Sequence, residues 1–374
     1  MPQQIRQLLY SQLISQSIQT FCELRLPDVL HAAGQPTSIE RLAEQTNTHI
    51  SALSRLLKAL KPFGLVNETD EGFSLTDLGA SLTHGAFASA QPSVLLINGE
   101  MGQAWRGMAQ TIRTGESSFK MHYGISLFEY FEQHPERRAI FDRSQDMGLD
   151  LEIPEILENI NLNDSENIVD VGGGSGHLLM HMLDKWPESK GILFDLPVAA
   201  KIAQEHLHKS GKAGCFEIVA GDFFKSLPDS GSVYLLSHVL HDWGDEDCKA
   251  ILATCRRSMP DNALLVVVDL LIDQSESAQP NPTGAVMDLY MLCLFGIAGG
   301  KERNEDEFKT LIENSGFSVE QVKRLPSGNG IIFAYPKYMI PIAPRHFPEG
   351  LFYSRVISRP HDYKEDTCRL WSIT

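Results

Sequence analysis

The spacing of apolar residues predicts that the chain begins as a helical domain. An apolar stripe at i, i+3, i+4 and i+7, the period of one helix face, is formed by Leu53, Leu56, Leu57 and Leu60. Thr37 and Glu40 are spaced as a capping box, which predicts that another helix, over 38–45, comes before this stripe. Two short strand-like runs, 65–68 and 73–76, then flank a turn. We therefore predict helix, turn, helix and hairpin, which is the winged-helix pattern.

Residues 85–160 are predicted to be mostly helical, and the pattern changes after about residue 166. Short apolar runs then alternate with helical stretches, at 168–171, 192–195, 216–220, 233–237 and 264–270. This alternation predicts a parallel sheet with helices on both faces. Two further runs, 318–324 and 330–335, are separated by a short turn sequence, which predicts an antiparallel pair.

Capping residues predict where two helices of this second half begin. Asp245 is expected to cap one helix, which ends with two arginines that complement the helix dipole. Asn304 and Glu307 are spaced as a capping box, and Gly316 is expected to stop the helix that they begin.

Composition narrows the classes of protein to which the chain can belong. Its 374 residues suit two domains, and 43% hydrophobic with 21% charged residues predicts a packed globular protein. The net charge of −16 argues against nucleic acid as the main partner. The six cysteines show no zinc-like spacing, so we expect reduced thiols, no metal and a cytoplasmic location. No signal peptide is recognised, and the longest apolar run, 263–272, is too short to cross a membrane.

A glycine-rich loop, VDVGGGSG at 169–176, predicts a ligand site where a strand turns into a helix. Gly172, Gly174 and Gly176 allow a tight turn and let a ligand approach the backbone closely. A dinucleotide loop would have the spacing G-x-G-x-x-G, aimed at a pyrophosphate. Here the third glycine comes one residue early, which favours a ligand without a pyrophosphate.

Two strand ends sharpen this prediction. Asp195 ends the next strand, about 20 residues after the loop, where a carboxylate can bind ribose hydroxyls. Asp222 and Phe223 follow the third strand, where an acid can accept the adenine amino group and a ring can cover the base. These residues narrow the predicted ligand to an adenosine.

The fourth strand leads into LSHVLHDWGD at 236–245, which contains a candidate base. His241 lies just past the strand's carboxyl end, where open parallel sheets bind ligands, and a neutral imidazole can accept a proton. Asp269 and Glu302 each offer a carboxylate that could hold the ring in one tautomer. The alternatives are a strand-end cap for Asp269 and a helix-start charge or salt bridge for Glu302.

Two neighbours of this histidine have two interpretations each. Trp243 could stack near the adenine or fill the core beneath the loop. His238 could line the substrate pocket or be a buried, hydrogen-bonded histidine.

Together these motifs resemble the small-molecule O-methyltransferases of the caffeic acid and hydroxyindole type, including bacterial members that act on natural products. The resemblance covers about residues 10–336 and rests on the winged-helix segment and on VDVGGGSG, LFDLP at 193–197, GDFF at 221–224, HDW at 241–243 and GGKER at 299–303. It implies a Rossmann-like class I methyltransferase domain of the α/β class, with a seven-stranded, mainly parallel sheet. This domain follows a helical winged-helix dimerisation domain that forms an intertwined homodimer.

The resemblance also implies the chemistry. S-adenosylmethionine (SAM) would donate a methyl group to a phenolic or enolic hydroxyl of a small aromatic or polyketide-like acceptor, leaving S-adenosylhomocysteine. The implied catalytic residues are His241 as base, Asp269 and Glu302. Cofactor contacts are expected at Gly172, Gly174, Asp195, Leu196, Asp222, Phe223, Ser237 and Trp243. Acceptor contacts are expected at Trp105, Met147, His238, Asp242, Asp288 and Met291.

The chain departs from the plant members of this family in three places. They carry lysine where this chain has Ser237, and glutamate where it has Asp269. Residues 292–298 are slightly longer, which changes the expected shape of the pocket.

We predict four segments: a winged-helix dimerisation domain over 1–95, a helical linker over 96–160 that contributes to the substrate pocket, a SAM-binding domain over 161–336, and an extension over 337–374 without an assigned role.

Two other functions compete with methyl transfer. SAM-binding relatives of this fold sometimes catalyse hydroxylation, decarboxylation or rearrangement, because a fold does not determine chemistry. The complete set of base and carboxylates favours methyl transfer. The winged helix also suggests a DNA-binding regulator, with four candidate residues on or near its second helix: His49, Arg55, Lys58 and Lys61. The acidic net charge and the leucine stripe favour a dimer surface instead.

Overall fold

The N-terminal part is a group of helices around a small hairpin. The computed structural model describes residues 3–162, 166–209, 214–272, 282–339 and 356–357. The first elements are α1 (Gln3–Glu23), α2 (Leu26–Ala33), α3 (Ile39–Thr46), α4 (Ile50–Leu60), β1 (Val66–Thr69), β2 (Gly72–Leu75) and α5 (Asp77–Ala80). The stripe of α4 is buried at Leu53, Leu57 and Leu60, and β1 pairs antiparallel with β2. The predicted helix, turn, helix and hairpin are confirmed.

The capping box predicted at Thr37 is wrong, because α3 begins one residue later. Ser38 is its N-cap, and the hydroxyl of Ser38 accepts a hydrogen bond from the backbone N–H of Arg41 at 3.3 Å. The backbone of Thr37 instead exchanges two hydrogen bonds with Phe73 on β2, at 2.8 and 2.9 Å. This bridge ties the segment before α3 to the hairpin, so Thr37 pairs with a strand and does not cap the helix.

A run of helices links this domain to the sheet, as predicted. These helices are α6 (Gln91–Ile97), α7 (Glu100–Arg106), α8 (Met108–Thr114), α9 (Ser118–Tyr123), α10 (Leu127–Gln133) and α11 (Pro135–Asn159). Their apolar cluster is centred on the buried rings of Phe119 and Phe131. None of the described helices is both long and apolar enough to cross a membrane.

The second half alternates strands and helices. Its elements are β3 (Asn167–Val171), α12 (His177–Lys185), β4 (Lys190–Asp195), α13 (Pro197–Lys209), β5 (Glu217–Ala220), β6 (Val233–Ser237), α14 (Asp245–Ser258), β7 (Leu264–Leu270), α15 (Pro282–Phe295), α16 (Glu305–Asn314), β8 (Phe317–Arg324) and β9 (Asn329–Pro336). They form one seven-stranded sheet in the order β5-β4-β3-β6-β7-β9-β8. β3 to β7 pair in parallel, while β9 runs antiparallel to both β7 and β8. The mainly parallel sheet of the α/β prediction is confirmed.

The strand order places a crevice at the centre of the sheet. β3 pairs with β4 on one side and with β6 on the other, so the connections leave it toward opposite edges. Open α/β sheets bind ligands outside the carboxyl ends of the strands at such a point. The loop after β3 and the turn after β6 meet there.

The predicted helix ends are partly correct. Asn304 and Glu307 form the predicted capping box, with both reciprocal bonds at 2.9 Å. Asp245 is not the cap of α14 but its first residue, and Gly244 occupies the N-cap. The carboxylate of Asp245 is instead bound by Arg303 at 2.8 Å.

The predicted extension lies mostly outside the described residues. Within it, β10 (Tyr338–Met339) and β11 (Val356–Ile357) pair antiparallel. The division of the chain at 95, 160 and 336 stays a prediction.

Candidate active site

The loop after β3 turns through left-handed glycines. The φ angles of Gly172, Gly174 and Gly176 are 73°, 58° and 78°, a region that other residues adopt only with strain. A Cβ at Gly174 would meet no atom within 4 Å, so the backbone there faces open space. Its N–H donates to Asp195 Oδ2 at 2.9 Å, which ties the loop to the end of β4. The result is a backbone cradle that is open to the crevice.

Two strand-end carboxylates flank this loop. Asp195 also accepts the backbone N–H of Leu196 at 2.6 Å, and burial raises the pKa of Asp195 against the effect of these two donors. Asp222 accepts the N–H of Phe224 at 3.0 Å and pairs with Lys225 at 3.0 Å. Its bonds to Lys225 and Phe224 lower the pKa of Asp222, so it is an ionised acceptor.

An aromatic wall stands next to Asp222. The ring of Trp243 lies edge-on to Phe223 at 5.8 Å and to Phe224 at 4.8 Å between centroids. All three rings are half-buried and pack on the apolar cluster of the sheet. Both interpretations of Trp243 therefore fit its position, since it packs on the core and stands beside Phe223. At the end of β6, the buried hydroxyl of Ser237 has no hydrogen-bond partner among the described residues.

The structure brings His241, Asp269 and Glu302 together. His241 lies in a one-turn 3-10 helix, Leu240–Asp242, directly after β6. Its Nδ1 is 3.3 Å from Glu302 Oε1 and 3.5 Å from Asp269 Oδ1. Its Nε2 is 3.7 Å from Asp242 Oδ1. The side chains of Asp269 and Glu302 are 0% and 2% exposed. Water cannot solvate their carboxylates, so the imidazole stabilises their negative charge.

These carboxylates change how strongly the ring holds its proton. Burial alone disfavours the charged ring, but Asp269, Asp242 and the hydrogen bond with Glu302 outweigh it and raise the pKa of His241 to about 10. Burial raises the pKa of Asp269, against the attraction of His241. Burial likewise raises the pKa of Asp242 to about 6. The carboxylates around His241 therefore favour its protonated ring.

His238 occupies an unusual position beside His241. It is a non-glycine residue with a φ of 52°, and its backbone N–H donates to Val268 O at 2.8 Å. Its Nε2 lies 2.8 Å from Glu152 Oε2 on α11. Glu152 is not among the residues predicted from the sequence, because nothing local marks a residue that lies 86 positions before its partner.

The residues predicted to contact the acceptor lie on several elements. Asp242 adjoins His241, and Asp288 on α15 accepts the backbone N–H of Glu302 at 3.1 Å. Trp105 on α7 is 6.4 Å from the ring of Tyr290, also on α15. Met291 is nearly fully buried. Met147 is half-buried on α11, next to Asp146, which accepts the hydroxyl of Ser175 at 2.6 Å.

One side-chain group outside this cluster has ligand-like spacing. The ligand atoms of Asp150, His177 and His181 lie within 4.8 Å of one another where α11 meets α12. Asp150 and His177 already pair at 2.7 Å, so the arrangement is explained without an ion. The expectation that the protein needs no metal stays a prediction.

Comparison with known families identifies the chain. An O-methyltransferase dimerisation domain matches residues 6–85, and an O-methyltransferase domain matches residues 105–318. The chain belongs to the O-methyltransferase family. It is thus an enzyme, as the resemblance implied.

Relatives of this O-methyltransferase match almost its whole length. O-methyltransferase SfmM3 of Streptomyces lavendulae is 43% identical over 332 residues, which is 88% of this chain and 99% of the relative. The crystal structure of LaPhzM superimposes with a TM-score of 0.84 at 34% identity, over 90% of this chain and 100% of that one. NcsB1, from neocarzinostatin biosynthesis, was solved with SAM and 2-hydroxy-5-methyl naphthoic acid. It has a TM-score of 0.72 at 29% identity, over 86% of this chain and 96% of that one.

Arg303 is a second residue of this O-methyltransferase whose role the sequence analysis missed. The side chain is 1% exposed, and its guanidinium binds Leu240 O at 2.9 Å, Trp243 O at 2.8 Å and Asp245. These bonds clamp both ends of the turn that carries His241. The GGKER motif contained a signal for this role, since an arginine beside a buried glutamate needs acceptors of its own.

Replacing Arg303 with methionine should loosen this turn. We expect the free energy of unfolding to fall by about 3 kcal/mol, because two buried carbonyls lose their donors. Lys301→Met is the matched control, since Lys301 is 37% exposed and contacts the same Asp245 at 3.5 Å; its loss should cost roughly 1 kcal/mol or less. Urea unfolding of both variants measures the difference, and equal losses would contradict the clamp.

Proposed function

We propose that this O-methyltransferase transfers a methyl group from SAM to a phenolic or enolic hydroxyl of a small aromatic or polyketide-like metabolite, with His241 as general base. The observation that carries the proposal is a histidine held by two buried carboxylates, at a strand end that adjoins the glycine loop. The aromatic hydroxy acid found in the NcsB1 structure supports an acceptor of this class.

The glycine loop and its neighbours fit SAM. Asp195 offers its carboxylate to ribose hydroxyls, and ionised Asp222 with Phe223 offers an acceptor and a ring face to adenine. The open space beside Gly174 leaves room for the amino-acid part, and the unpartnered hydroxyl of Ser237 can donate to it. The remaining proposed contacts are Gly172, Leu196 and Trp243. When bound, SAM supplies a methyl group activated on a sulfonium sulfur.

In the proposed reaction, His241 receives the acceptor's proton. Glu302 and Asp269 face Nδ1, so the neutral ring keeps its one proton there and accepts a second proton at Nε2. Their negative charge stabilises the imidazolium that forms. A phenol has a pKa of about 10, close to that of the ring, so the transfer is nearly balanced in energy.

In the proposed complex, the acceptor hydroxyl approaches Nε2 of His241, and side chains from α7, α11, α15 and the 3-10 turn line its pocket. The proposed lining of this pocket is Trp105, Met147, Asp242, Asp288 and Met291. The sixth residue predicted from the sequence, His238, has its Nε2 bound by Glu152 instead. α15 is connected to the linker helices by Ser117 and Ser118, whose hydroxyls donate to Leu294 O at 2.6 Å and Cys293 O at 3.1 Å. The linker and the sheet domain would therefore shape the pocket together.

The proposed assembly is a homodimer. α1 exposes a set of apolar side chains to between 47% and 69%: Ile5, Leu8, Leu9, Tyr10 and Leu13. Apolar patches of this kind mark interaction surfaces, and the match to the family's dimerisation domain, residues 6–85, includes all of these residues except Ile5. Two cations of the proposed DNA-binding face, Lys58 and Lys61, both pair with Glu68 at 3.7 and 3.2 Å, which favours the dimer interpretation.

Introducing charge on α1 should weaken the dimer. Leu8→Glu together with Leu13→Glu buries two carboxylates in the proposed interface, so the dissociation constant should rise by at least about tenfold. Gln7→Glu on the same helix, at an exposed position, is the control for charge alone. Light scattering after size exclusion gives the mass across a dilution series. A wild-type monomer, or an unaffected double variant, would contradict the proposal.

Removing the base should abolish most of the methyl transfer. The wild-type enzyme, incubated with methyl-labelled SAM and a panel of hydroxybenzoates and hydroxynaphthoates, should transfer label to oxygen. His241→Gln should lower kcat by roughly 10²- to 10⁴-fold and leave SAM affinity nearly unchanged, while exposed His31→Gln should change neither. Unchanged turnover in His241→Gln would rule out the base. SAM binding without label transfer to any acceptor would favour the non-methylating chemistries instead.

The pH profile should follow the raised pKa of His241. A base whose pKa is raised to about 10 is protonated, and so inactive, at lower pH. With a simple phenol, kcat/KM should therefore rise about tenfold per pH unit from pH 7 toward 10. An acidic nitrophenol, which is already ionised, should show a much flatter profile. A flat profile for the simple phenol would contradict the proposed base.

A further inference from the structure

A second histidine–carboxylate pair shares a carboxylate with the first. Asp269 Oδ1 is 3.5 Å from Nδ1 of His241 and 4.0 Å from Nδ1 of His238. The two rings are 5.7 Å apart between centroids. Glu152 binds the far side of His238 at 2.8 Å. Glu152 thus holds His238 by a hydrogen bond, and Asp269 lies between the two rings within ion-pair distance of both.

The backbone shows that His238 is held in place against strain. A left-handed conformation costs a non-glycine residue about 1 kcal/mol or more. His238 adopts it with a φ of 52° at the end of β6, where its N–H bonds to Val268 on β7. This conformation directs the ring toward Glu152 and Asp269. Asparagine tolerates the same backbone, so a neutral replacement is available.

The surroundings of His238 and Glu152 favour an ion pair between them. Burial disfavours the charged ring, but the hydrogen bond and charge of Glu152 outweigh it and raise the pKa of His238. Burial opposes ionisation of Glu152, yet His238 lowers the pKa of Glu152 overall. Among the described residues, the other titratable groups that act on the two rings are Asp242 of the 3-10 turn, Asp269 of β7 and Glu302 before α16. Arg303 acts indirectly, because its charge lowers the pKa of Asp269.

We propose that Glu152 and His238 are positioning residues for His241. The cationic His238 ring shares Asp269 with the base. It neutralises part of the negative charge of Asp269, and His241 therefore releases its proton more readily. Glu152 keeps His238 charged and turned toward Asp269. Both ring nitrogens of His238 then face carboxylates, which differs from the direct acceptor contact suggested by the sequence. This inference rests on the proposed function of His241.

Replacing His238 with asparagine should affect acceptors according to their acidity. Without the positive charge of His238, the pKa of His241 should rise by about one pH unit. For a simple phenol between pH 7 and 9, kcat/KM should fall by about tenfold, whereas a nitrophenol that is already ionised should lose little. SAM affinity should not change. An equal loss for both acceptors would show a merely structural role and overturn the inference.

Replacing Glu152 with glutamine tests the pair without any methyl transfer. In histidine-labelled full-length protein, NMR should show the His238 titration midpoint falling by about one pH unit or more, with its signal assigned from His238→Asn. Glu158→Gln, at an exposed position on the same helix, is the control and should leave the midpoint unchanged. An unchanged midpoint in Glu152→Gln would overturn the pair.

The two proposals fail in different ways. If Glu152→Gln shifts His238 but His241→Gln lowers turnover equally for both acceptors, the pair stands and the base role of His241 is wrong. If His241→Gln discriminates between the acceptors and His238→Asn does not, the base stands and the inference is wrong.

Discussion

The site depends on the burial of two carboxylates at the carboxyl end of the central strands. Asp269 and Glu302 have almost no contact with water, and an isolated buried charge is costly. Their negative charge requires a cation nearby, and His241 is the group that the turn after β6 presents. The same requirement explains why the ring holds its proton tightly. It also explains why the positive charges of Arg303 and His238 act on Asp269. A basic histidine is a consequence of this charge balance.

The surrounding fold holds this balance in place. Arg303 binds the carbonyls at both ends of the His241 turn, and Asp288 accepts the N–H of Glu302. α11 reaches the site twice, once through Asp146 at the glycine loop and once through Glu152 at His238. Movement of that helix would therefore displace residues at both the cofactor loop and the base.

Much of this could be predicted from sequence, because local patterns carried it. Apolar runs at alternating spacing predicted the sheet, and VDVGGGSG predicted a loop that needs left-handed glycines. Asp269 and Glu302 were found because each lies at a recognisable strand or helix end. Glu152 was missed, since its charge is paired across 86 residues. The cap at Thr37 was wrong for a similar reason: a bridge to Phe73, which local spacing does not reveal, takes up its backbone.

The central claim is that Nε2 of His241 receives the acceptor's proton. The most direct test is a crystal structure of the enzyme with S-adenosylhomocysteine and an acceptor that it methylates. We expect the acceptor hydroxyl oxygen within about 2.6–3.2 Å of His241 Nε2, with Nδ1 still facing Glu302 and Asp269. An acceptor oxygen next to another side chain, with His241 Nε2 turned away from it, would contradict the account.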